Sequence, residues 1–156
     1  MKINNVYNTY DSPFGRIVIV SDGSAVINIK LENNLIPDCK KGPDAVTDLT
    51  SKQLEEYFNR KRYKFDVPLA PKGTVFQQSV WSALQEIPCG ETRTYKQIAE
   101  KINNPKACRA VGLANNRNPI WILIPCHRVV GSDGGLTGYA GGLEMKQKLL
   151  ELESWI

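Results

Sequence analysis

The chain has 156 residues, is 42% hydrophobic and 23% charged, and carries a formal net charge of +4, which is ordinary for a soluble globular protein of one domain or two small ones. Its four cysteines, at 39, 89, 108 and 126, form no C-x-x-C pair, and a single histidine leaves no ligand set for the usual tetrahedral zinc site, so reduced thiols, no structural metal and no cofactor are expected. The N-terminal residues lack the apolar stretch of a signal peptide, and the longest apolar run, Ile120 to Ile124, is too short to span a bilayer; a cytoplasmic protein, nuclear if its source has a nucleus, is expected, with no membrane partner.

Taken in chain order, residues 6 to 31 read as a β-meander: Val6 to Tyr10, Arg16 to Val20 and Val26 to Leu31, reversed at Ser12-Pro13-Phe14-Gly15 and at Asp22-Gly23. A polar, proline-containing stretch from Asn33 to Asp44 leads to a helix whose Leu49, Leu54, Tyr57 and Phe58 form an apolar stripe, and Tyr63 to Val67 reads as a returning strand. This half carries no recognisable chemistry. Pro68, Pro71 and Gly73 look like a linker, which divides the chain into an N-terminal α/β domain, 1–72, and a C-terminal domain, 73–156.

The second half opens on Thr74-Val75-Phe76-Gln77, a capping box, and Phe76, Val80, Ala83, Leu84 and Ile87 recur at helical spacing until Pro88-Cys89-Gly90 ends the helix. Thr94-Tyr95-Lys96-Gln97 is a second capping box, and Tyr95, Ile98, Ala99 and Ile102 put Tyr95 on the inward stripe of the next helix. After Asn103, Asn104 can cap and Pro105 can open a third helix, with Ala107, Ala110, Val111 and Ala114 on one face and Cys108, Arg109, Gly112, Asn115 and Asn116 on the other. Two short helices so closely joined read either as a helix-turn-helix, whose polar, small-residued second helix lies against nucleic acid, or as a helical hairpin of the core. Between Thr92 and Arg128 seven basic residues (Arg93, Lys96, Lys101, Lys106, Arg109, Arg117, Arg128) face one acid, Glu100, which suits a polyanion partner or a solvated basic face.

The run Ile120-Trp121-Ile122-Leu123-Ile124 reads as a buried strand ending at Pro125-Cys126-His127-Arg128, where the chain's only histidine stands beside a cysteine. A cysteine attacks as its thiolate, and a nearby imidazole can take the proton at neutral pH. Neighbours in a strand point to opposite faces, so the pair can interact only if the chain turns, which Pro125 favours, or through a bridging water. A loop with Gly131, Gly134, Gly135, Gly138, Gly141 and Gly142 follows. In the last helix, from about Leu143, Glu153 falls between Leu149 and Leu150 on the wheel; it is either a core-facing carboxylate in need of a partner, with His127 the candidate, or part of a solvated terminal turn.

Seven motifs in register over residues 73 to 153, from Ile87-Pro88 with Gly90-Glu91 through Thr94-Tyr95, Arg109-Ala110-Val111-Gly112, Asn118-Pro119, Ile124-Pro125-Cys126-His127-Arg128-Val129-Val130, and Gly138-Tyr139 with Gly141-Gly142-Leu143, to Lys146, give a pattern that resembles the O6-alkylguanine-DNA alkyltransferases. The resemblance implies an α+β protein, with a ribonuclease-H-like N-terminal domain of antiparallel sheet and helix and a mainly helical C-terminal domain containing a helix-turn-helix. It implies a monomer that repairs double-stranded DNA by taking the alkyl group of O6-alkylguanine, and of O4-alkylthymine, onto Cys126 in a single turnover after base flipping. Glu153, His127 and a water would form the relay that activates Cys126, with Asn118 the hinge and Tyr95 the proton donor to the departing base. Arg109 would fill the gap left by the flipped base, and Thr94, Tyr95, Ala107, Gly112 and Arg128 would join it at the DNA. Val129, Tyr139, Ala140 and Trp121 would line the base pocket, where Trp121 either narrows the space for bulky groups or packs in the core. Two other readings compete with this one. A binding module would carry tryptophan where this chain has Cys126, and a Cys-His hydrolase would use His127 and Glu153 as base and orienter but would leave a helix-turn-helix without purpose.

Overall fold

Three strands, β1 (Val6–Ser12), β2 (Gly15–Ser21) and β3 (Val26–Leu31), form an antiparallel meander, and a short parallel strand, β4 (Lys40–Lys41), adds to β1 to give the order β3-β2-β1-β4. The computed structural model describes residues 5–32, 39–135, 139 and 142–155. The β1–β2 hairpin closes at Ser12 opposite Gly15, whose φ of +126° suits a residue without a side chain. Central β2 buries Ile17, Val18, Ile19 and Val20 in succession, the pattern of a strand covered on both faces, and helix α1 (Ala45–Phe58) packs against β1 and β2. Asp44 and Thr47 cap α1 reciprocally, at 2.8 and 3.0 Å.

Two expectations for this half change. The inward stripe of α1 is Thr47, Thr50, Gln53, Leu54, Tyr57 and Phe58, while Leu49 is 38% exposed. Residues 63–67 form no strand, because the Gln53 side chain takes up the polar groups of Asp66: its carbonyl accepts the Asp66 backbone N–H at 3.1 Å, and its amide donates to the carboxylate. Sheet-like pairing comes only afterwards, where Val26 bonds Pro68 at 2.9 Å and Ala70 at 2.8 Å. Part of the polar stretch, 33–38, lies outside the described residues.

The chain divides into two compact units, Met1–Pro71 and Lys72–Ile156. In the second, the capping boxes form as read: Thr74 with Gln77 starts α2 (Val75–Gln85), and Thr94 with Gln97 starts α3 (Tyr95–Lys101). A two-residue strand, β5 (Arg93–Thr94), precedes α3 and runs parallel to β6 (Val129–Val130). Asn103, at φ +60°, ends α3, with its N–H bonded to Glu100 and that of Asn104 to Ala99, so the last carbonyls of α3 are satisfied within the turn. That turn delays α4 (Cys108–Asn116): Asn104 and Pro105 lie in the turn, and Ala107 stands at the N-cap position without a side-chain cap bond.

Helix α4 packs against α2 and α3, and the Trp81 indole donates to the Ala114 carbonyl at 2.9 Å. Its inward face is Val111, Ala114 and Asn115, whereas Ala110 is exposed; the true stripe is rotated by a residue from the expected one because a buried asparagine occupies it. The last helix, α5 (Leu143–Glu153), buries Met145, Lys146, Leu149 and Glu153.

Gly73, read as a linker residue, is in contact with the core: a Cβ placed there would lie 2.5 Å from the Trp81 ring. Gly73→Ala is expected to cost about 1–3 kcal/mol of stability through overpacking against a buried ring, measurable as a lowered urea midpoint. An unchanged midpoint would mean that the chain before α2 shifts freely.

Candidate active site

The segment from Asn118 to Arg128 forms a succession of tight turns in place of the expected strand. The Asn118 side chain accepts from the Ile120 N–H at 2.9 Å and donates to the Ile124 carbonyl at 2.7 Å, stapling the chain between them. Within that staple Leu123 bonds back to Trp121 at 2.8 Å over Ile122, whose φ of +72° is rare for a β-branched residue. A second three-residue turn centres on Pro125, with Cys126 N–H bonded to Ile124 at 2.8 Å. A 3₁₀ turn then carries Cys126–Arg128, and Asn115 reaches the Cys126 carbonyl at 3.3 Å. The cost of conformations like that of Ile122 is on the order of 1–3 kcal/mol, and they persist where surrounding bonds over-determine them. Here two asparagine side chains do so.

Glu153 is the electrostatic centre of the site. One carboxylate oxygen bonds His127 Nε2 at 2.6 Å and Arg128 Nη2 at 2.9 Å; the other accepts from Arg128 Nε at 2.8 Å. Burial alone would raise this acid, but His127 and Arg128 more than reverse that and hold it well below the usual carboxylate range. An ionised carboxylate only accepts, so His127 donates through Nε2. Its own pKa is lowered, by burial first, then against Glu153 by the Arg128 and Lys146 cations, so the ring is neutral at pH 7. The remaining lone pair, on Nδ1, is buried and meets no hydrogen-bond partner among the described residues. It is therefore a base without a proton.

Arg128, expected at the DNA, lies in the interior. It is 6% exposed, forks onto Glu153, and donates to the Ile87 carbonyl at 2.7 Å, because the 3₁₀ turn directs it toward the ends of α2 and α5. Cys89 lies within the field of the same cluster; burial and Glu153 push its thiol up to about 11, against Arg128.

Burial pushes the Cys126 thiol up to about 11, although the Asn118 amide, the Lys146 ammonium and the Tyr139 hydroxyl favour its thiolate. His127 is not among the groups acting directly on it, so of the two routes open to the pair, a turn or a bridging water, direct contact is not the one formed. The Tyr139 hydroxyl is buried with no hydrogen-bond partner among the described residues, and its ring lies 5.7 Å from that of buried Trp121. Lys146 is fully buried, and burial lowers its ammonium to about 8 against the pull of Cys126. Sequence reading gave Lys146 no place in the site, yet its position one residue after Met145 and three before Leu149 on the inward face of α5 was the available signal. Val129 is buried and pairs with Arg93, and Ala140 lies outside the described residues.

The β5–β6 pairing ties the start of α3 to the strand that follows the Cys126 turn. Thr94 serves as the α3 cap at 3.1 Å, and the half-buried Tyr95 ring lies over Gly112, where a Cβ would come within 3.8 Å of it. Ala107 is half-buried ahead of α4, and Arg109 is exposed, with Ala110 and the 57% exposed Leu113 beside it. Of the seven basic residues, Arg128 is buried, Arg93 pairs with Glu91 at 3.0 Å and Lys101 with Glu86 at 3.2 Å, which leaves Lys96, Lys106, Arg109 and Arg117 exposed.

Two family profiles match the chain: "6-O-methylguanine DNA methyltransferase, ribonuclease-like domain" over residues 5–71, and "6-O-methylguanine DNA methyltransferase, DNA binding domain" over residues 75–155. The methylated-DNA–protein-cysteine methyltransferase of Methanosarcina acetivorans is 53% identical over 154 residues, covering 94% of this chain and 97% of that protein. The protein of the same name from Mycobacterium tuberculosis H37Rv is 48% identical over 151 residues, covering 94% of this chain and 91% of its own length. The crystal structure of Mycobacterium tuberculosis OGT in complex with DNA superposes with a TM-score of 0.91 at 46% identity, covering 96% of this chain and 93% of that one.

His127 and Glu153 both bind protons less readily here than in an unfolded chain, so the unfolded state gains protons first as the pH falls. Stability is therefore expected to decline below about pH 6.5, as unfolded histidine protonates, and to decline further below ~4.5 with Glu153, at no more than about 1.4 kcal/mol per pH unit per group. Urea midpoints recorded between those values and neutrality check this; a flat profile would contradict the buried neutral His127.

Proposed function

The chain belongs to the 6-O-methylguanine DNA methyltransferases, enzymes that repair DNA by moving a methyl group onto a protein cysteine, and from that premise we propose that Cys126 is the acceptor and is used once. With that membership the hydrolase and the binding module fall away as readings. The observation that carries the proposal is the buried Nδ1 lone pair of His127, one residue from a thiol and held ready by an ionised Glu153.

In this mechanism a water between Nδ1 and Sγ passes the thiol proton to His127, and the growing imidazolium is stabilised by Glu153. Sγ attacks the alkyl carbon in line as the bond from that carbon to guanine O6 breaks; the S–C bond formed is a thioether, and no step releases it. The Tyr95 hydroxyl supplies the proton that the departing guanine needs and takes one back from solvent. Asn118, which holds the turns around Ile122, keeps Cys126 in line, and Lys146 adds a positive charge that favours the thiolate. With burial holding the thiol near 11, the thiolate forms only as His127 takes the proton through the water.

A base within a stacked duplex cannot present O6 in line to a buried sulfur, so the lesion must leave the stack. Helices α3 and α4 serve as a helix-turn-helix, exposed Arg109 fills the gap, and Thr94, Tyr95, Ala107 and Gly112 lie along the contacted backbone. Val129, Tyr139 and Ala140 hold the flipped base. O6-alkylguanine is the principal substrate and O4-alkylthymine a second. Trp121, packed on Tyr139, forms part of the wall of the base pocket. The protein acts as a cytoplasmic monomer, or a nuclear one in a eukaryote.

Mixing with duplex DNA containing O6-methylguanine is expected to add one methyl mass per protein, on Cys126 by peptide mapping, and Cys126→Ser is expected to abolish transfer while retaining DNA binding. Continued turnover would refute the scheme. Arg109→Ala is expected to slow transfer from duplex by an order of magnitude or more, since unstacking costs on the order of a few kcal/mol, while leaving reaction with free O6-benzylguanine base nearly unchanged. Equal losses on both substrates would instead assign Arg109 to the fold.

A further inference from the structure

The first unit carries a charged patch that none of the chemistry above uses. Residues 59–64 read Asn-Arg-Lys-Arg-Tyr-Lys, four cations without an acid, at the C-terminal end of α1. Two of the neighbouring carboxylates are engaged, Glu56 by Arg62 at 2.8 Å and Asp66 by Gln53, while Glu55 is exposed with no ion pair among the described residues. Arg62 is further fixed by its bond to the Lys64 carbonyl at 2.7 Å, which curls the segment. Arg60, Lys61 and Lys64 remain exposed, with no ion pair among the described residues, around a Tyr63 that is 63% exposed.

The backbone at Arg60 adds a second observation. Its φ is +59°; its N–H bonds to Tyr57, and that of Lys61 bonds to Glu56 at 2.8 Å, the turn that ends a helix on a left-handed residue. Glycine is the residue of least strain at that position. Helix α3 makes the same turn with Asn103, a residue type that tolerates it. Here an arginine stands instead, so a long cation is placed where backbone strain argues against one.

We propose that Arg60, Lys61, Tyr63 and Lys64 form a second contact for the phosphate backbone of double-stranded DNA, outside residues 75–155 of the DNA-binding profile. Unpaired cations take phosphate oxygens with release of counterions, and an exposed tyrosine offers a hydroxyl donor to phosphate and a ring face to sugar. Since the chain's partner is DNA, DNA is the polyanion that complements this patch. The patch would add affinity without sequence preference and would not touch the reacting base.

The test compares wild type with the triple variant Arg60→Gln/Lys61→Gln/Lys64→Gln, and with Tyr63→Ala, binding an unmodified fluorescent duplex of about 25 base pairs, roughly 85 Å at 3.4 Å per step. The slope of log affinity against log salt should fall by ~0.9 for each phosphate no longer neutralised, so by roughly 2 to 3 in the triple variant, with weaker binding at low salt. Tyr63→Ala should weaken binding several-fold and leave the slope unchanged. Reaction with free O6-benzylguanine should match wild type in both, which separates failure of this proposal from failure of the proposed chemistry. An unchanged slope and affinity in the triple variant would overturn the proposal. If the cations only offset the dipole of α1, the variant would lose thermal stability with its slope unchanged; if the patch receives an acidic protein, the slope would likewise not move. Either result refutes the DNA contact.

Discussion

A single carboxylate, buried at the end of the chain's last helix, organises the reactive half of the protein. Glu153 is stable as an anion because His127 and the Nε and Nη2 groups of Arg128 donate to it, and each of those donors is thereby fixed. Arg128 passes the constraint on to the end of α2 through the Ile87 carbonyl, and His127 passes it to the turn that carries Cys126. The arrangement has the usual asymmetry of buried charge. Formed whole, it contributes little net stability; with one partner removed it leaves an uncompensated ion, at about 3–5 kcal/mol. Three elements distant in sequence are therefore committed to one geometry, and the direction of the histidine lone pair follows from it.

Much of this could be read from the residues themselves. The capping boxes at Thr74 and Thr94 are local signals, with both partners within three residues, and they locate α2 and α3 correctly. Glu153 stands out because a carboxylate on an apolar stripe calls for a partner. What sequence could not supply was tertiary satisfaction of polar groups. Ile120 to Ile124 has the composition of a strand, yet it turns because Asn118 binds both ends of it, and no periodicity reports an asparagine that supplies the backbone's bonds. Asn115 and Arg128 look like surface residues for the same reason; the carbonyls of Cys126 and Ile87 that receive them lie far away in sequence. Residues 63–67 fail as a strand because Gln53 has taken the partner a neighbouring strand would need. Lys146 is the converse case, a charge that alternation on α5 places inward and that is easily passed over because lysine is seldom buried.

The left-handed turns that end α1 and α3 also differ in a way that local rules do not explain by themselves. Asn103 is a choice the backbone favours, and it closes α3 against α4 within the DNA-binding profile. Arg60 is one the backbone disfavours, and it stands on an open surface. Where local preference and observed residue agree, the turn serves the fold. Where they disagree on the surface, as at Arg60, the proposed phosphate contact accounts for the side chain.

The depth of Cys126 bears on how long the protein remains usable. Peroxides and disulfides consume cysteines in proportion to their thiolate fraction and their access to solvent. A sulfur that is 2% exposed and protonated at neutral pH has little of either. Desolvation thus gives the acceptor a chemical shelf life: small oxidants and stray electrophiles find no anion to attack, and the thiol persists until a reactive carbon is brought into the pocket and its proton has somewhere to go.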